Sequence, residues 1–290
     1  MSTWLNRIRI HRDAWVAFAK SRVRSAYHFT ADDCRLHIQE RLWQAPPIRV
    51  CEDLDDCFRL AVQNREIFWP KSLSYTGIGW LYNEIFIPWS LNPASYSHPQ
   101  TQVPVGGWVI DAGACEGFFS MHALERGARH VLAIEPVASL GATLTKTFAQ
   151  AQREGRLAVL EQALADTTGV SYLHAEVAQV WDSTLQHDAT NTSDVCVDAT
   201  TIDRIVMDHG LRENGLIKMD IEGAEMVALQ GATNTLRKHR PRLAVAVYHS
   251  YENALRCREI ILTANPDYHV DFRGMYAWFS PPRPYLLFAW

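Results

Sequence analysis

Residues 109–120 are Val109-Ile110-Asp111-Ala112-Gly113-Ala114-Cys115-Glu116-Gly117-Phe118-Phe119-Ser120. The stretch is a short apolar run, then a loop with two glycines, then the start of an apolar helix. Such a loop turns backbone amides and a helix N-terminus toward a ligand. We therefore expect a buried strand, a ligand-binding loop and a helix in this order.

The spacing of the glycines limits the kind of ligand. A dinucleotide fingerprint is G-x-G-x-x-G, but counting from Gly113 its second and third positions hold Cys115 and Phe118, which gives a pyrophosphate no close approach. Glycines at 113 and 117 suit a ligand with an amino acid and a nucleoside but no phosphate. Asp111, just before the loop, would fix the loop or the ligand's ammonium group.

Short apolar runs alternate with helical stretches from Trp108 onward, as expected of a parallel sheet covered on both faces. Five parallel strands are predicted over 108–110, 131–134, 157–160, 216–219 and 243–247, with helices over 119–126, 138–154, 225–238 and 254–264. Two further runs, 268–272 and 285–290, predict an antiparallel hairpin at the sheet edge. The predicted fold class is α/β, with a mostly parallel, Rossmann-like sheet.

Further candidate residues follow the predicted strands. Glu135 ends the second strand, where a carboxylate can accept both ribose hydroxyls. After the third strand, Ala163 and Leu164 could sandwich adenine and Asp166 could reach its exocyclic amine. Any one of these residues would also suit an ordinary surface, but ligands of open α/β sheets bind at the carboxyl ends of strands. Their order therefore indicates a nucleoside site.

The fourth strand leads into Leu216-Ile217-Lys218-Met219-Asp220-Ile221-Glu222-Gly223-Ala224-Glu225. Together with residues 109–120, 135–136, 200–203 and 247–249, this segment resembles the FkbM family of S-adenosylmethionine-dependent methyltransferases, from about Gly107 to the C-terminus. The resemblance implies S-adenosylmethionine as cofactor, a methyltransferase sheet with a reversed last strand, and O-methylation of sugars or natural products. The predicted cofactor-binding residues are Asp111, Gly113, Ala114, Glu116, Gly117, Ser120, Glu135, Ala163, Leu164, Asp166 and Asp220.

Four residues are candidates for the chemistry: Lys218, Asp220, Glu222 and His249. Lys218 and Asp220 share one face of the fourth strand, and a buried Lys218 would need Asp220, Glu222 or Glu225 as partner. His249 follows the fifth strand and is the first candidate for the base, because an unshifted pKa suits neutral pH. Alternatively, Asp220 or Glu222 is the base, the acidic cluster holds a divalent cation, or the group is an ion-paired strand end without chemistry.

Two other functions stay open, an NAD-type oxidoreductase and a non-catalytic S-adenosylmethionine-binding module. Cys115 and Phe118 argue against the oxidoreductase. The stretch Ser280-Pro281-Pro282-Arg283 is similar to a motif of nucleic-acid base methyltransferases, but it does not follow the fourth strand and predicts a turn. A net charge of −4 gives no general attraction for nucleic acid. We expect a small-molecule or glycan acceptor.

The first hundred residues predict a mainly helical accessory segment, and residues 101–290 the methyltransferase domain. Residues 1–24 contain six basic residues and one acid, and their apolar residues recur at helical spacing: Trp4, Leu5, Ile8, Trp15, Ala19 and Val23. This pattern predicts an amphipathic helix that docks onto the body or onto a second copy in a homodimer, with membrane adsorption as the alternative. Trp80, Tyr82 and Glu84 could close over the cofactor or acceptor.

Composition excludes several other classes of protein. Hydrophobic residues make up 48% and charged residues 21% of the chain, as in folded globular proteins. Six scattered cysteines without a C-x-x-C pair predict free thiols. No secretion signal and no apolar run of membrane-spanning length occurs, so a cytoplasmic enzyme is expected.

Overall fold

The computed structural model describes residues 3–174, 184–186 and 195–290. Within residues 3–100, helices cover more of the chain than strands do, as predicted. The elements are α1 (Thr3–Arg24), α2 (Ala31–Glu40), β1 (Ile48–Asp53), β2 (Cys57–Val62), β3 (Arg65–Pro70) and α3 (Ile78–Phe86), followed by a 3-10 turn at Trp89–Leu91. Thr30 and Asp33 start α2 with a capping box, each side chain accepting from the other residue's backbone N–H.

The antiparallel sheet β1-β2-β3 is the part of this segment that the sequence analysis did not predict. β2 and β3 are joined by the two-residue turn Gln63-Asn64, in which Gln63 has a φ of 55°. This turn lacks the Asn-Gly or Asp-Gly pair that marks a hairpin in sequence. Across the strands, Arg59 forms ion pairs with Glu52 and Glu66, both at 2.7 Å.

The second part of the chain alternates strands and helices around a larger sheet. In chain order the elements are β4 (Trp108–Ala112), α4 (Phe118–Glu125), β5 (His130–Ile134), α5 (Ala138–Thr147), α6 (Ala149–Arg153), β6 (Leu157–Leu160), β7 (Ala163–Leu164), β8 (Gly169–His174), β9 (Thr184–Gln186), β10 (Val195–Thr200), α7 (Ile202–Asp208), β11 (Gly215–Met219), α8 (Glu225–Gln230), α9 (Thr233–Lys238), β12 (Arg242–Ala246), α10 (Asn253–Ala264), β13 (Val270–Tyr276) and β14 (Arg283–Ala289).

The large sheet has the strand order β13-β14-β12-β11-β4-β5-β6. The five predicted strands β4, β5, β6, β11 and β12 are parallel, and β14 runs antiparallel to both β12 and β13. This arrangement confirms the predicted Rossmann-like fold class with its reversed last strand. The chain builds outward from β4 to β6 and then returns to β11, so the strand order reverses between β4 and β11. Open α/β sheets bind ligands at this kind of reversal.

A smaller sheet, β7-β10-β8-β9, comes from the segment between β6 and β11. β10 pairs in parallel with β7 and antiparallel with β8. The polar stretch 187–194 of this segment lies outside the described residues. β7 leads the chain from the large sheet into this small one.

The accessory segment shares its apolar core with the sheet domain. Leu60, Trp69 and Ile78 pack in one cluster with Phe118 and Leu140. A second cluster places Ala94 and Tyr96 against strands of the large sheet, and a third joins α1 and α2 to its opposite face. Burial of these side chains holds α3 next to the loop that follows β4.

Helix α1 docks on the body through a face that the sequence analysis did not choose. Its body-facing residues are Ile10, Ala14 and Ser21, whereas Trp4 is 66% and Val23 85% exposed. Helical spacing identifies an apolar face, but it cannot tell which of two faces packs inward. Ala14 packs in the apolar cluster that also contains Cys34 and Ile38 of α2.

Two further expectations concern the cysteines and membrane-spanning segments. All six cysteines are free thiols, as predicted. Within residues 3–174, 184–186 and 195–290, no helix combines the length and the apolar character needed to cross a membrane.

A core substitution in the accessory segment tests whether the two parts share one core. Leu60 is fully buried, so Leu60→Ala should lower the free energy of unfolding by about 2–5 kcal/mol. Calorimetry should still show one transition for the whole chain, at a lower temperature. Leu91→Ala, at a residue 44% exposed, is the control and should change stability by less than about 0.5 kcal/mol. Two separate transitions, of which one moves, would contradict the shared core.

Candidate active site

A cavity of about 380 Å³ lies at the carboxyl ends of β4, β5 and β11. Its walls come from the loop after β4, the residues after β5 and β11, β7, and α3 of the accessory segment. The predicted site residues that line it are Gly113, Ala114, Glu116, Glu135, Ala163, Leu164, Lys218, Asp220 and Glu222, with Trp80 and Glu84 from the predicted cap. The structure thus brings most of the predicted site together at the strand-order reversal.

Lys218 anchors the loop that follows β4. Its Nζ lies 3.0 Å from Asp111 Oδ1 and donates to the carbonyl oxygens of Gly113 at 2.8 Å and Ala112 at 3.3 Å. Burial opposes its charge, but Asp111 and then Asp220 outweigh burial and raise the pKa of Lys218. Its partner is therefore Asp111, not one of the three carboxylates proposed from sequence, because β4 and β11 are adjacent strands in register. A lysine held charged in this way does not serve as a base.

Asp111 pairs with Lys218 beneath the loop that follows β4. It is fully buried, does not line the cavity, and accepts a hydrogen bond of 2.7 Å from Ser120 Oγ. Ser120 is likewise buried behind the loop. These two predicted residues support the ligand site from below without lining the cavity.

Gly113 is required by a close approach between the loop and β11. Its φ is +73°, and a Cβ atom there would lie 1.8 Å from the carbonyl oxygen of Asp220. Gly117 has a φ of +89°, and a Cβ there would lie 2.6 Å from the ring of Phe148. Both glycines allow the loop to fold, and of the two only Gly113 lines the cavity.

Glu135 is held at the end of β5 by backbone donors. Its two carboxylate oxygens accept from the N–H groups of Cys115 and Val137, both at 3.0 Å. Burial exceeds the effect of these donors and raises the pKa of Glu135 to about 7. Each oxygen can accept a second hydrogen bond, so a fixed, half-satisfied carboxylate faces the cavity.

The apolar end of the cavity is formed by Val137, Ala163 and Leu164. Asp166, predicted to reach an adenine amine here, is exposed and does not line the cavity. The pairing of β7 with β10 directs the chain into the small sheet before this residue. Gln162, which the sequence analysis did not name, lines the cavity instead.

Two tyrosines that the sequence analysis also missed hold Asp220. Tyr96 donates to Asp220 Oδ2 at 2.8 Å and Tyr248 to Oδ1 at 3.5 Å. Burial and the neighbouring Asp220 raise the pKa of both tyrosines well above the usual value, so they stay neutral donors. Tyr248 follows β12 in the segment that was matched to the family, whereas Tyr96 precedes the domain and gave no sequence signal.

His249 lies among three carboxylates. Its Nε2 is 3.2 Å from Glu222 Oε2 and 3.5 Å from Asp220 Oδ1, and its Nδ1 is 3.3 Å from Glu225 Oε1. Neither ring nitrogen points toward a carboxylate oxygen with hydrogen-bond geometry, so the contacts are ionic. Burial opposes the charged ring, but Glu222 and Glu225 outweigh burial and raise the pKa of His249 to about 11. The expectation of an unshifted pKa is therefore wrong. Because the ring is an imidazolium at neutral pH, it cannot take the proton of the substrate hydroxyl.

Glu222 and Glu225 differ sharply although they lie three residues apart. Glu225 is fully buried and accepts from the N–H groups of Ile221 and Gly223 and from Asn253 Nδ2. Burial opposes its charge, but His249 and these donors lower its pKa. Glu222 lines the cavity with a backbone φ of +53°, and burial raises its pKa to about 7. A carboxylate that titrates near neutral pH suits a base.

One further arrangement bears on the predicted divalent cation. Asp220, Glu225 and His249 each offer one ligand atom, and these atoms lie within 4.8 Å of one another. To bind a cation there, the imidazolium would have to lose a proton.

Comparisons with known proteins point to one family. The model described as the methyltransferase FkbM domain matches residues 111–280. A solved structure of methyltransferase FkbM from Methylobacillus flagellatus KT is 24% identical over 72% of this chain, with a TM-score of 0.48. This chain spans about half of that one (48%). No curated protein sequence matches this chain.

More distant structures include two proteins of Methanocaldococcus jannaschii. Trm5 in complex with adenosine is 12% identical over 91% of this chain and 67% of its own, with a TM-score of 0.43. TYW2 in complex with AdoMet is 10% identical over 83% of this chain and 88% of its own, with a TM-score of 0.42.

The protonation of His249 can be measured directly. Between pH 6 and pH 9 its ring nitrogens should keep the NMR shifts of an imidazolium, with His249→Gln used to assign the signals. Because the ring's pKa is higher in the folded than in the unfolded chain, its contribution to stability is full below about pH 6.5 and is lost as the pH rises toward about 11. A titration midpoint near 6.5 would contradict the ionic contacts described above.

Proposed function

Because this chain belongs to the methyltransferase FkbM family, we propose that its cavity binds S-adenosylmethionine and that the protein transfers the methyl group to a hydroxyl oxygen of a small molecule, natural product or sugar. The observation that supports this most is Glu135, a buried carboxylate held by two backbone donors beside the glycine loop. Its free acceptor positions suit the two vicinal hydroxyls of a ribose.

The remaining lining residues fit the other parts of this cofactor. Val137, Ala163 and Leu164 offer apolar surface for adenine. Glu116 lines the loop end of the cavity, where its carboxylate can accept from the cofactor's ammonium group. Burial raises the pKa of Glu116 to about 7, and a bound ammonium would favour its ionised form.

The same charges weigh against the NAD-type alternative. Glu116, Glu135 and Asp220 line the cavity, and Lys218, which also lines it, is already paired with Asp111. A pyrophosphate placed here would face carboxylates, and the lining residues that the structure describes offer no free cation to offset its charge. The sulfonium and ammonium groups of S-adenosylmethionine carry the opposite sign and suit this site.

For the chemistry, S-adenosylmethionine supplies an electrophilic methyl group, and the residues of this chain position the acceptor and remove its proton. We assign the base to Glu222, which lines the cavity and titrates near neutral pH. Tyr96 and Tyr248 orient Asp220, which can accept a hydrogen bond from the acceptor. His249 is a positioning residue that holds Asp220, Glu222 and Glu225 together by its charge.

A divalent cation at Asp220, Glu225 and His249 is the alternative to this assignment. It would lower the pKa of the acceptor hydroxyl directly. We favour the imidazolium of His249 as the positive charge of this cluster, because its ring nitrogens already lie within 3.5 Å of the carboxylates of Asp220, Glu222 and Glu225. Methyl transfer that survives extensive chelation supports the imidazolium, and loss restored by added Mg²⁺ or Mn²⁺ supports the cation.

Two finer expectations, a homodimer and a cytoplasmic location, belong to the same proposal. A homodimer would use the outer face of α1, where Trp4, Ile8 and Trp15 are exposed. That segment has a net charge of +5, which leaves −9 for the rest of the chain, so the acidic remainder of a second copy would attract it. Light scattering on the native protein and on Trp15→Ser tests this. A non-catalytic module, the remaining alternative, would bind cofactor without any methyl transfer.

Removal of the Glu135 carboxylate should weaken cofactor binding. Glu135→Ala loses two charge-assisted hydrogen bonds to the ribose. The free energy of S-adenosylhomocysteine binding, measured by calorimetry, should therefore become less favourable by about 2–5 kcal/mol. Asp166→Ala is the matched control, since Asp166 is exposed and outside the cavity, and it should bind normally. Equal affinity of Glu135→Ala and the native protein would remove Glu135 from the site.

Loss of the base should change both rate and pH dependence. Glu222→Gln should lower kcat by about 10²-fold or more, measured with labelled S-adenosylmethionine and an acceptor found by screening hydroxyl-bearing compounds. In the native enzyme kcat should rise with pH through about 7 as Glu222 ionises, and this rise should vanish in the variant. The exposed Glu259→Gln is the control. An unchanged pH profile in Glu222→Gln would shift the assignment to Asp220.

A further inference from the structure

Helix α3 carries Glu84 from the accessory segment into the cavity. Trp80 and Glu84 lie one helical turn apart and both line the cavity. The helix is fixed from behind, because Tyr82 and Phe86 pack against Phe118 with ring centroids 5.5 and 5.8 Å apart. The packing of α3 against Phe118 therefore fixes the position of the Glu84 backbone.

The end of α3 is fixed as well. The fully buried Asn92 donates from Nδ2 to the carbonyl oxygens of Glu84 at 2.8 Å and of Asn83 and Ile87 at 3.3 Å. These bonds satisfy carbonyls that a helix C-terminus leaves free. The accessory segment thus presents one carboxylate to the site at a defined position.

Glu84 extends the acidic side of the cavity. Burial, and after it the nearby carboxylates of Asp220, Glu116 and Glu40, raise the pKa of Glu84 to about 8, although Lys218 lowers it. The proposed function places the methyl group near Asp220 and Glu222. Within the described part of the chain, no residue of the proposed cofactor site forms an ion pair with Glu84. Among the described lining residues, the basic one is Lys218, which is committed to Asp111.

We propose that Glu84 is a specificity-determining residue of the acceptor site: in its ionised form, together with Asp220 and Glu222, it gives the methyl-transfer end of the cavity a negative potential. This potential admits hydroxyl-bearing acceptors that are neutral or positively charged and excludes phosphorylated or carboxylated ones. Hydroxyl and ammonium groups can donate hydrogen bonds to carboxylates, whereas phosphate and carboxylate anions cannot and are repelled. The inference rests on the proposed function, since it assumes that methyl transfer occurs at this end.

Two cofactor analogues measure this potential without knowledge of the acceptor. S-Adenosylhomocysteine is uncharged where the methyl group would leave, whereas sinefungin bears an ammonium group on the carbon that replaces the sulfonium sulfur. Calorimetry at pH 8.5, above the pKa of Glu84, should show that the native protein prefers sinefungin. Glu84→Gln should reduce this preference about tenfold, as expected for removal of one opposite charge several Å away, with little change for S-adenosylhomocysteine.

Two variants serve as controls. Glu125→Gln makes the same charge change on α4, at an exposed carboxylate paired with Arg65 outside the cavity, and should keep the native preference. Glu84→Asp keeps the charge and should retain most of the preference, even if Glu84→Gln lowers the melting temperature.

The outcomes separate the two proposals. Native protein that binds neither analogue would overturn the proposed function, and the inference with it. Native protein that binds both, with the same ratio of affinities in Glu84→Gln, would overturn the inference and leave the proposed function intact. A ratio that falls in Glu84→Gln but not in Glu84→Asp or Glu125→Gln supports it.

Discussion

The buried ion pair between Lys218 and Asp111 joins the two strands on either side of the strand-order reversal. Lys218 is 5% and Asp111 0% exposed, and breaking a pair at such a depth costs about 3–5 kcal/mol, because it leaves one charge without a partner. The same ammonium group holds the carbonyl oxygens of Ala112 and Gly113. The shape of the loop after β4, and with it the floor of the cavity, therefore depends on this pair.

Once Lys218 is committed to the loop, the other carboxylates of the site differ in their environments. Glu225 is surrounded by donors and by His249, which lower its pKa, whereas burial raises the pKa of Glu222, Glu116 and Glu135. Carboxylates whose pKa values differ in this way can play separate roles in one site. The ionised Glu225 holds His249, and the more easily protonated carboxylates face the cavity, where a cationic ligand would favour their ionised forms.

The sequence predicted the large sheet well because its signals are local. Each strand is a short apolar run followed by a breaker, and Glu135 and Asp220 could be placed because carboxyl ends of parallel strands meet at one edge. The strands β1–β3 were missed because the turn Gln63-Asn64 carries no hairpin signature. Asp166 was misplaced because the pairing of β7 with β10 is not visible locally.

The chemical state of the site could not be predicted in the same way. The pKa of His249 depends on Glu222 and Glu225 meeting it through the turn at Gly223, whose φ is +99°. The roles of Tyr96 and Glu84 depend on how the accessory segment packs, which no spacing within that segment encodes. Tertiary packing decides these features, so a pattern of residue types identifies the candidates but not their charges.

The central claim is that this cavity is a cofactor site with the nucleoside at Glu135 and the reacting end at Asp220. A crystal structure of the protein soaked with S-adenosylhomocysteine tests it most directly. The account predicts both ribose hydroxyls within hydrogen-bond distance of the Glu135 carboxylate, adenine between Val137 and Leu164, and the sulfur facing Glu84, Asp220 and Glu222. Density for the ligand elsewhere, or with the ribose away from Glu135, would contradict it.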